Sequence, residues 1–568
     1  MFKRIIKKIN AFQNNPYGLF YFYILVNLIP SLCLIFTEPF DFTGKLILII
    51  FPLGLYLFLL SIYKNTGTIQ LWLFPLLFLH AFQIVLFYLF GEDVIAVDMF
   101  LNLVTTNASE AGELLDSIFP SVILVCVIYI PTTILATIAC KRKVYLPFSF
   151  RKKTLAIGII LMVISLALTF VAKNKNTGTF TFHQDVYPTN VFYNLGFAIN
   201  KYNRINKYPE TSKDFTFEAY RDTTISKNRE IYVLIVGETS RAENWSLYGY
   251  DRETTPNLEK DSGVVYYQDA LTQSNTTHKS VPIILSAASA ENFDVIYRQK
   301  SIIEAFKEVG FTTVFLSNQA PNHSFTEYFD DEADYKETFR SGYDGVNNLD
   351  EILLPRLEHY IDSVKGNLFV VMHTYGSHFN YKERYPETFS KYKPDNVTDI
   401  KKEYKDILVN AYDNSILYTD YFLHNIIQIL QKTGSSSTFL YTSDHGEDIM
   451  DDSRNRFLHA SPNPTFYQLR IPMITWFSYV YDENYPQKKY NAINNSDKPV
   501  SNNAVFHTLL DMANIKTKYL QDSLSLVNSK YQVTKRMYLD DHDNPIFFYN
   551  ANLKKQDKEM IEKRGIHH

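Results

Sequence analysis

Cysteine is nearly missing from this chain of 568 residues: three occur, Cys33, Cys126 and Cys140, and each falls inside an apolar run. The polar remainder therefore has no disulfide to use, and if it is exported its core alone must hold it together. A strong net charge is missing too. The formal charge of −4 leaves no basic footprint, so no nucleic-acid partner is expected. Internal repeats and low-complexity tracts are also lacking, which excludes solenoid and fibrous classes. The first apolar run has neither the short core nor the small-residue cleavage site of a signal peptide and reads as a retained helix.

Long apolar runs are abundant, but only near the start. Five precede residue 175, at 19–36, 45–63, 69–90, 119–140 and 154–172, each close to the 20 residues that a bilayer crossing needs. Basic residues lie in MFKRIIKK before the first run, at Lys64 after the second, and in KRKVYLPFSFRKK (141–153) between the fourth and fifth. Lys and Arg beside spans stay in the cytoplasm, so five crossings deliver everything after about residue 173 to the opposite side. The expected plan is a five-helix transmembrane domain over 1–175 with an outside segment at 91–117, a linker over 176–228 and an exported domain over 229–568. Within the linker, NVFYNLGFAINKYNRINKY (190–208) suits either a helix in the lipid interface or one packed on the exported domain.

From residue 229 onward, short β-branched and aromatic runs alternate with helical patterns. REIYVLIVGE (229–238), FTTVFLSNQ (311–319), NLFVVMHTYG (367–376), STFLYTSDHG (437–446) and IPMITWFSYV (471–480) read as buried strands. SIIEAFKEVG (301–310) and the long stretch 412–434, closed by a glycine, read as helices. That alternation predicts an α/β domain with a mostly parallel sheet sandwiched by helices.

In such sheets functional groups gather beyond the carboxyl ends of the strands. The first strand delivers Glu238 there, the third His373 and His378, and the fourth Asp444 and His445, with His459 following in RFLHASPNP. Carboxylate and imidazole together form a divalent-metal set, and the mixture of oxygen and nitrogen favours zinc over magnesium or calcium. Thr277, in TQSNTTHKSVP (272–282), offers a nucleophile: a hydroxyl coordinated to zinc loses its proton more readily. If Thr277 opens a helix, backbone N–H groups there would face a phosphoryl oxygen, although Pro282 limits the helix's regularity.

VGETSRAENWSLYGYDRETTPNL (236–258), SNTTHKSVP (274–282), HTYGSHFNYKERYP (373–386), YDNSILYTDYFL (412–423), YTSDHGED (441–448) and LHASPNP (458–464) occur in one order along the chain. In that order they resemble the bacterial phosphoethanolamine transferases, membrane-anchored members of the alkaline phosphatase and sulfatase superfamily, some of which underlie polymyxin resistance. DMFLNLVTTNASEAGELL (98–115) resembles that family's periplasmic segment, so the likeness covers nearly the whole chain. It implies an alkaline phosphatase/sulfatase-like fold, an inner-membrane anchor and a periplasmic catalytic domain. It implies that Thr277 accepts phosphoethanolamine beside one tightly held zinc surrounded by Glu238, Thr277, Asp444 and His445. His378 and His459 match further histidines that serve the substrate phosphate or a second zinc, and His459 could protonate the leaving group. Asn102, Thr106 and Glu110 match substrate-contacting positions, and their spacing of four would place them on one helix face, which equally suits helix packing. The implied partners are membrane lipids, with phosphatidylethanolamine as donor and a lipid A phosphate or core sugar as acceptor, served by a monomer.

This chain departs from the family in lacking the cysteines that flank the nucleophile in comparable members. A phosphoglycerol transferase of the lipoteichoic acid synthase type shares the general plan, but EAGELL and GETSRAENWSLYGY count against it. A true sulfatase would need a Cys/Ser-x-Pro-x-Arg segment, and none is seen. An inactive envelope scaffold would have lost a ligand, and none is lost.

Overall fold

A computed structural model describes residues 10–91, 94–105, 108–175, 178–221, 228–321, 324–340, 347–396 and 400–567. The chain forms two compact units, Met1–Phe100 with Ser117–Ile199, and Leu101–Asp116 with Asn200–His568.

The first unit is helical. Helix α1 (Pro16–Thr37) begins where the Asn15 side chain accepts the N–H groups of Tyr17 and Gly18, and α2 (Phe42–Ser61) begins at an Asp41 cap. The run at 69–90 is broken into α3 (Thr66–Trp72) and α4 (Phe74–Phe90), bent by 63°. Pro75 explains the break, since it has no N–H to donate and its ring collides with the carbonyl four residues earlier. Helices α5 (Val97–Thr105), α6 (Ala108–Lys141) and α7 (Phe148–Leu168) follow. Among the described residues three helices are long and apolar enough to cross a membrane, or four if the bent pair counts as one span. The last apolar run differs from the other four: α7 starts inside the basic segment, with Arg151, Lys152 and Lys153 in its first turns, and its apolar part is correspondingly short.

Helix α8 (Thr189–Asn206) leads into the second unit, which is built on a seven-stranded sheet. Its strands are β1 (Glu230–Gly237), β2 (Val264–Tyr266), β3 (Thr312–Ser317), β4 (Tyr335–Thr338), β5 (Leu368–His373), β6 (Ser436–Ser443) and β7 (Met473–Phe477), in the order β2-β7-β6-β1-β5-β3-β4. From β6 to β4 neighbouring strands are parallel; β7 runs antiparallel to both β6 and β2. The sheet is therefore mixed. The apolar run at 471–480 does form a strand, but a run buried on both faces carries no mark of direction.

Both faces are covered. Tyr232, Leu234, Val236, Phe369, Val371 and Leu440 pack on one side beneath α9 (Thr277–Leu285). Ile231, Val233, Ile235, Val370, Met372 and Phe439 pack on the other beneath α10 (Lys405–Lys432), which ends near Gly434 at φ 61°. The register pairs Val236 with His373 and Gly237 with Ser443, so β1, β5 and β6 reach their carboxyl ends together.

Candidate metal centre

Glu238 and Asp444 each follow the last residue of a central parallel strand, and both are almost fully buried. Helix α9 brings its first residue, Thr277, over the same edge, and Ser280 Oγ donates to the Asp444 carbonyl at 2.6 Å. Thr277 Oγ1 lies 3.2 Å from Glu238 Oε1 and 3.1 Å from His445 Nε2. His445 Nε2 lies 3.4 Å from Glu238 Oε1 and 3.2 Å from Asp444 Oδ2.

Two observations test whether these atoms suit a cation. Asp444 Oδ1 accepts the backbone N–H groups of Thr239 and His445 at 3.1 and 2.7 Å, while Oδ2, fully buried, has no hydrogen-bond partner. His445 Nδ1–H donates to the Gly446 carbonyl at 2.9 Å, which leaves Nε2 as a bare lone pair facing Oδ2. Two lone pairs held face to face in a dry interior repel unless a positive charge lies between them. The spacing also fits: tetrahedral zinc with ligand bonds of about 2.0–2.1 Å requires ligand atoms about 3.3–3.4 Å apart. Four of the six edges of such a set, at 3.1, 3.2, 3.2 and 3.4 Å, lie at or slightly under that length. One imidazole, two carboxylates and a hydroxyl form a zinc-type set.

The backbone around the cradle is constrained. Gly376, at φ 56°, sits where a Cβ would be 2.6 Å from the Glu238 carbonyl oxygen and 2.8 Å from its nitrogen. Only glycine lets β5 and the end of β1 approach this closely. Thr239 is held at φ 62°, an uncommon conformation for a β-branched residue. Its N–H donates to Asp444, its carbonyl accepts Tyr412 Oη–H at 2.8 Å, and its own hydroxyl donates to Glu238 Oε1 at 2.8 Å. Strain of this kind persists where surroundings over-determine it, and it concentrates at functional sites.

His459 joins the group: its ring centroid is 4.1 Å from that of His445, and Glu238, His445 and His459 offer ligand atoms within 4.8 Å of one another. Burial lowers both imidazoles to about 4, so both are neutral near pH 7. Glu447 Oε2 lies 3.3 Å from His459 Nδ1, and burial raises the Glu447 carboxyl well above its ordinary range. Both shifts, His459 down and Glu447 up, are caused by burial and disfavour an ion pair between them. His378 lies one ring away, 6.0 Å from His459, with Nδ1 engaged 2.6 Å from the Phe379 carbonyl. His373 does not join the cradle; it is buried on β5 with neither ring nitrogen hydrogen-bonded. Asn102 falls on α5 and Glu110 on α6, while Thr106 lies outside the described residues.

Two participants escape the strand-end reasoning. Glu447 stands in the same octet as Asp444, and Gln319 ends the run FLSNQ, from where its Nε2 donates to Glu238 Oε2 at 3.3 Å and to the Thr374 carbonyl at 2.8 Å. An acid three positions beyond Asp444 was the available signal for the first; an amide at a strand end carries none.

The sulfatase family model matches residues 230–515, which includes every strand of the sheet and all of the cradle. The chain belongs to the sulfatase family. Within it, phosphoethanolamine transferase EptA of Escherichia coli K12 is 31% identical over 329 residues, covering 54% of this chain and 58% of that protein. The chain thus matches little more than half the length of that relative. The structure of the integral membrane lipooligosaccharide phosphoethanolamine transferase A of Neisseria meningitidis matches 88% of this chain and 98% of its own, with a TM-score of 0.69 at 21% identity. The C-terminal periplasmic domain of EptC from Escherichia coli matches 60% of this chain and 97% of its own, with a TM-score of 0.54 at 24% identity. The chain is thus a sulfatase-family member that resembles bacterial phosphoethanolamine transferases. Its first unit has three described helices long and apolar enough to cross a membrane, or four if the bent pair is one span, and its second unit shares the fold of the EptC periplasmic domain.

Proposed function

We propose that the chain transfers phosphoethanolamine from phosphatidylethanolamine to a lipopolysaccharide acceptor, a lipid A phosphate or a core sugar, through phosphoethanolamine-Thr277. The observation that carries this reading is Thr277 Oγ1 at the mouth of α9, 3.1 Å from His445 Nε2, the nitrogen that also faces the unpartnered Asp444 Oδ2 at 3.2 Å. Glu238, Thr277, Asp444 and His445 would hold one zinc, and His378 and His459 stand where substrate phosphate or a second zinc could be met. When bound, zinc supplies Lewis acidity that lowers the pKa of a threonine hydroxyl and offsets charge on phosphoryl oxygens.

In the first half-reaction Thr277 Oγ1, its hydroxyl proton already released to solvent, attacks phosphorus. The Oγ1–P bond forms while the bond from phosphorus to the diacylglycerol oxygen breaks, and diacylglycerol leaves. With Nδ1 turned to Glu447, His459 has Nε2–H for the departing oxygen, and the proton lost there is replaced at Nδ1 from the Glu447 carboxyl. In the second half-reaction an acceptor oxygen attacks the same phosphorus, its proton returning to the His459–Glu447 pair, and Thr277 Oγ1 departs as the alkoxide, so kinetics are ping-pong. A monomer suffices, since every group comes from one chain. Asn102, Thr106 and Glu110 are assigned to the lipid donor.

The anchor suits lipid substrates, because it confines enzyme, donor and acceptor to one surface. We read α7 as a fifth crossing. Arg151 Nε and Nη2 donate to the carbonyls of Ser61 and Ile62 at 2.9 and 2.5 Å, as expected where an antiparallel neighbour begins beside the end of α2. Five crossings from a cytoplasmic start deliver the second unit to the periplasm.

Membranes containing the chain, given labelled phosphatidylethanolamine or phosphatidylglycerol, test the proposal. Diacylglycerol should come from the former, and a Thr277→Ala variant should release none. Release from phosphatidylglycerol alone would favour the phosphoglycerol-transferase alternative, and a modified glycolipid made by Thr277→Ala would remove Thr277 from the reaction.

A further inference from the structure

Beyond residue 515, where the family match ends, the chain forms a hairpin, β8 (Met537–Leu539) with β9 (Pro545–Phe547). This hairpin grips the nucleophile segment on both sides of Thr277. On the N-terminal side Leu539 N–H donates to the Gln273 carbonyl at 2.8 Å, and Tyr538 Oη–H donates to Asn275 Oδ1 at 2.7 Å. On the C-terminal side Lys279, fully buried on α9, donates from Nζ to the Asp540 carbonyl at 2.7 Å and pairs with Asp543 Oδ1 at 3.3 Å. The hairpin is itself fastened: the same Asp543 oxygen pairs with Lys201 Nζ of α8 at 2.8 Å, and both lysines are almost wholly buried. Asp543 reaches them from φ 60°, a conformation that Asp tolerates better than most residues.

A buried lysine is costly to desolvate, and an apolar side chain would serve packing at least as well, so Lys279 calls for an account beyond stability. Helix geometry turns position 279 well away from position 277, which takes its ammonium to the hairpin rather than to the reacting atoms. We infer that Lys279 and Asp543 are positioning residues: the C-terminal hairpin, seated on α8 through Lys201, fixes the first turn of α9 so that Thr277 Oγ1 stays in line with its phosphoryl target. This rests on the reaction proposed above and adds the device that aims it. Reaction rates are sensitive to such aim, since displacement of a reacting atom by about 1 Å can cost on the order of a hundredfold.

Lys279→Met in the full-length chain is the decisive variant. It removes the Nζ contacts to the Asp540 carbonyl and to Asp543, and leaves Lys201 to pair with Asp543. Rapid-quench measurement of the first diacylglycerol released should show the rate constant falling about tenfold or more. KM for phosphatidylethanolamine, zinc content and the unfolding temperature should stay near wild type. Lys279→Arg, which keeps a cation for Asp543, should recover most of the rate. A burst rate within about twofold of wild type in Lys279→Met, or a loss of rate matched by a loss of zinc or of unfolding temperature, would overturn the inference. If the wild-type chain itself gives no diacylglycerol burst, the proposed reaction fails instead. The clamp is then judged by amide hydrogen exchange over 277–285, which should quicken in Lys279→Met if the hairpin holds α9 and stay unchanged if it does not.

Discussion

Replacing Asp444 by Asn should make the metal-free protein more stable and the zinc-loaded protein less stable than wild type. In the wild type, Oδ1 accepts two backbone N–H groups, so an asparagine must keep its carbonyl oxygen there and turn its NH2 toward His445 Nε2, 3.2 Å from the present Oδ2. A repulsive pair of lone pairs becomes an N–H···N hydrogen bond worth about 1 kcal/mol. Removing a buried charge adds to that gain. With zinc present the sign reverses. Zinc at a hundred times its Kd stabilises the wild type by about 2.7 kcal/mol, and losing a charged ligand that weakens binding about a hundredfold removes most of this. Thermal unfolding in detergent, followed by intrinsic fluorescence with EDTA or with added zinc, should give curves that change order between the two conditions. Metal analysis of the purified variant should show depleted zinc. The cradle argument fails if Asp444→Asn keeps the full zinc-induced shift, or if it loses stability equally with and without metal.

Thr277→Ala should lose diacylglycerol release but retain zinc above the Asp444→Asn level, because Glu238, Asp444 and His445 remain; equal zinc loss in both would deny the carboxylate its larger share. Gly376→Ala should lower both unfolding temperature and zinc affinity, since its Cβ must displace Glu238 backbone atoms 2.6 and 2.8 Å away; unchanged metal binding would count against that tight approach. His507, buried and accepting Gln521 N–H at Nδ1 (3.2 Å), is lowered to about 4 by burial. The folded chain then binds fewer protons than the unfolded chain between pH 6.5 and 4. Its contribution is therefore full above pH 6.5 and is lost as pH falls toward 4, by on the order of 3 kcal/mol. His507→Asn, which keeps an acceptor for Gln521, should flatten that part of the stability profile measured with denaturant; an unchanged slope would remove His507 as its source.

What could be read from the residues was whatever a strand leaves behind when it ends. The runs before Glu238 and His373 are apolar on both faces, the run before Asp444 carries an apolar FLY centre among hydroxyl residues, and each stops at a polar residue, so their convergence on one sheet edge was legible. His373 shows the limit of that logic: its ring is buried, feels the charge of Asp444, and has neither nitrogen hydrogen-bonded. Direction in β7, the bend at Pro75 and the short edge strands β2 and β4 depend on pairing and context that a run of apolar residues does not encode. The support for the site was the least legible part. Gln319, Glu447 and Lys279 act through partners 81, 12 and 261 positions away, and no local pattern marks such a pairing.

The absence of cysteine from the second unit bears on how the cradle keeps its shape. All three cysteines lie in the first unit, and none is in a disulfide. Each arm of the site is nevertheless anchored on more than one side. Glu238 is held through its carbonyl by Ser377 N–H at 3.0 Å and through its carboxylate by Thr239 and Gln319. Asp444 is held by two amides and by Ser280, and the segment around Thr277 by the hairpin. A disulfide limits the unfolded chain as much as it steadies the folded one, whereas these contacts exist only once the sheet edge and its loops are assembled. Local order at this site is therefore tied to global folding. Variants that loosen one arm should be felt by the others, so double substitutions across Ser280 and Thr239 are expected to be non-additive in zinc affinity, while either one combined with His507→Asn is expected to be additive.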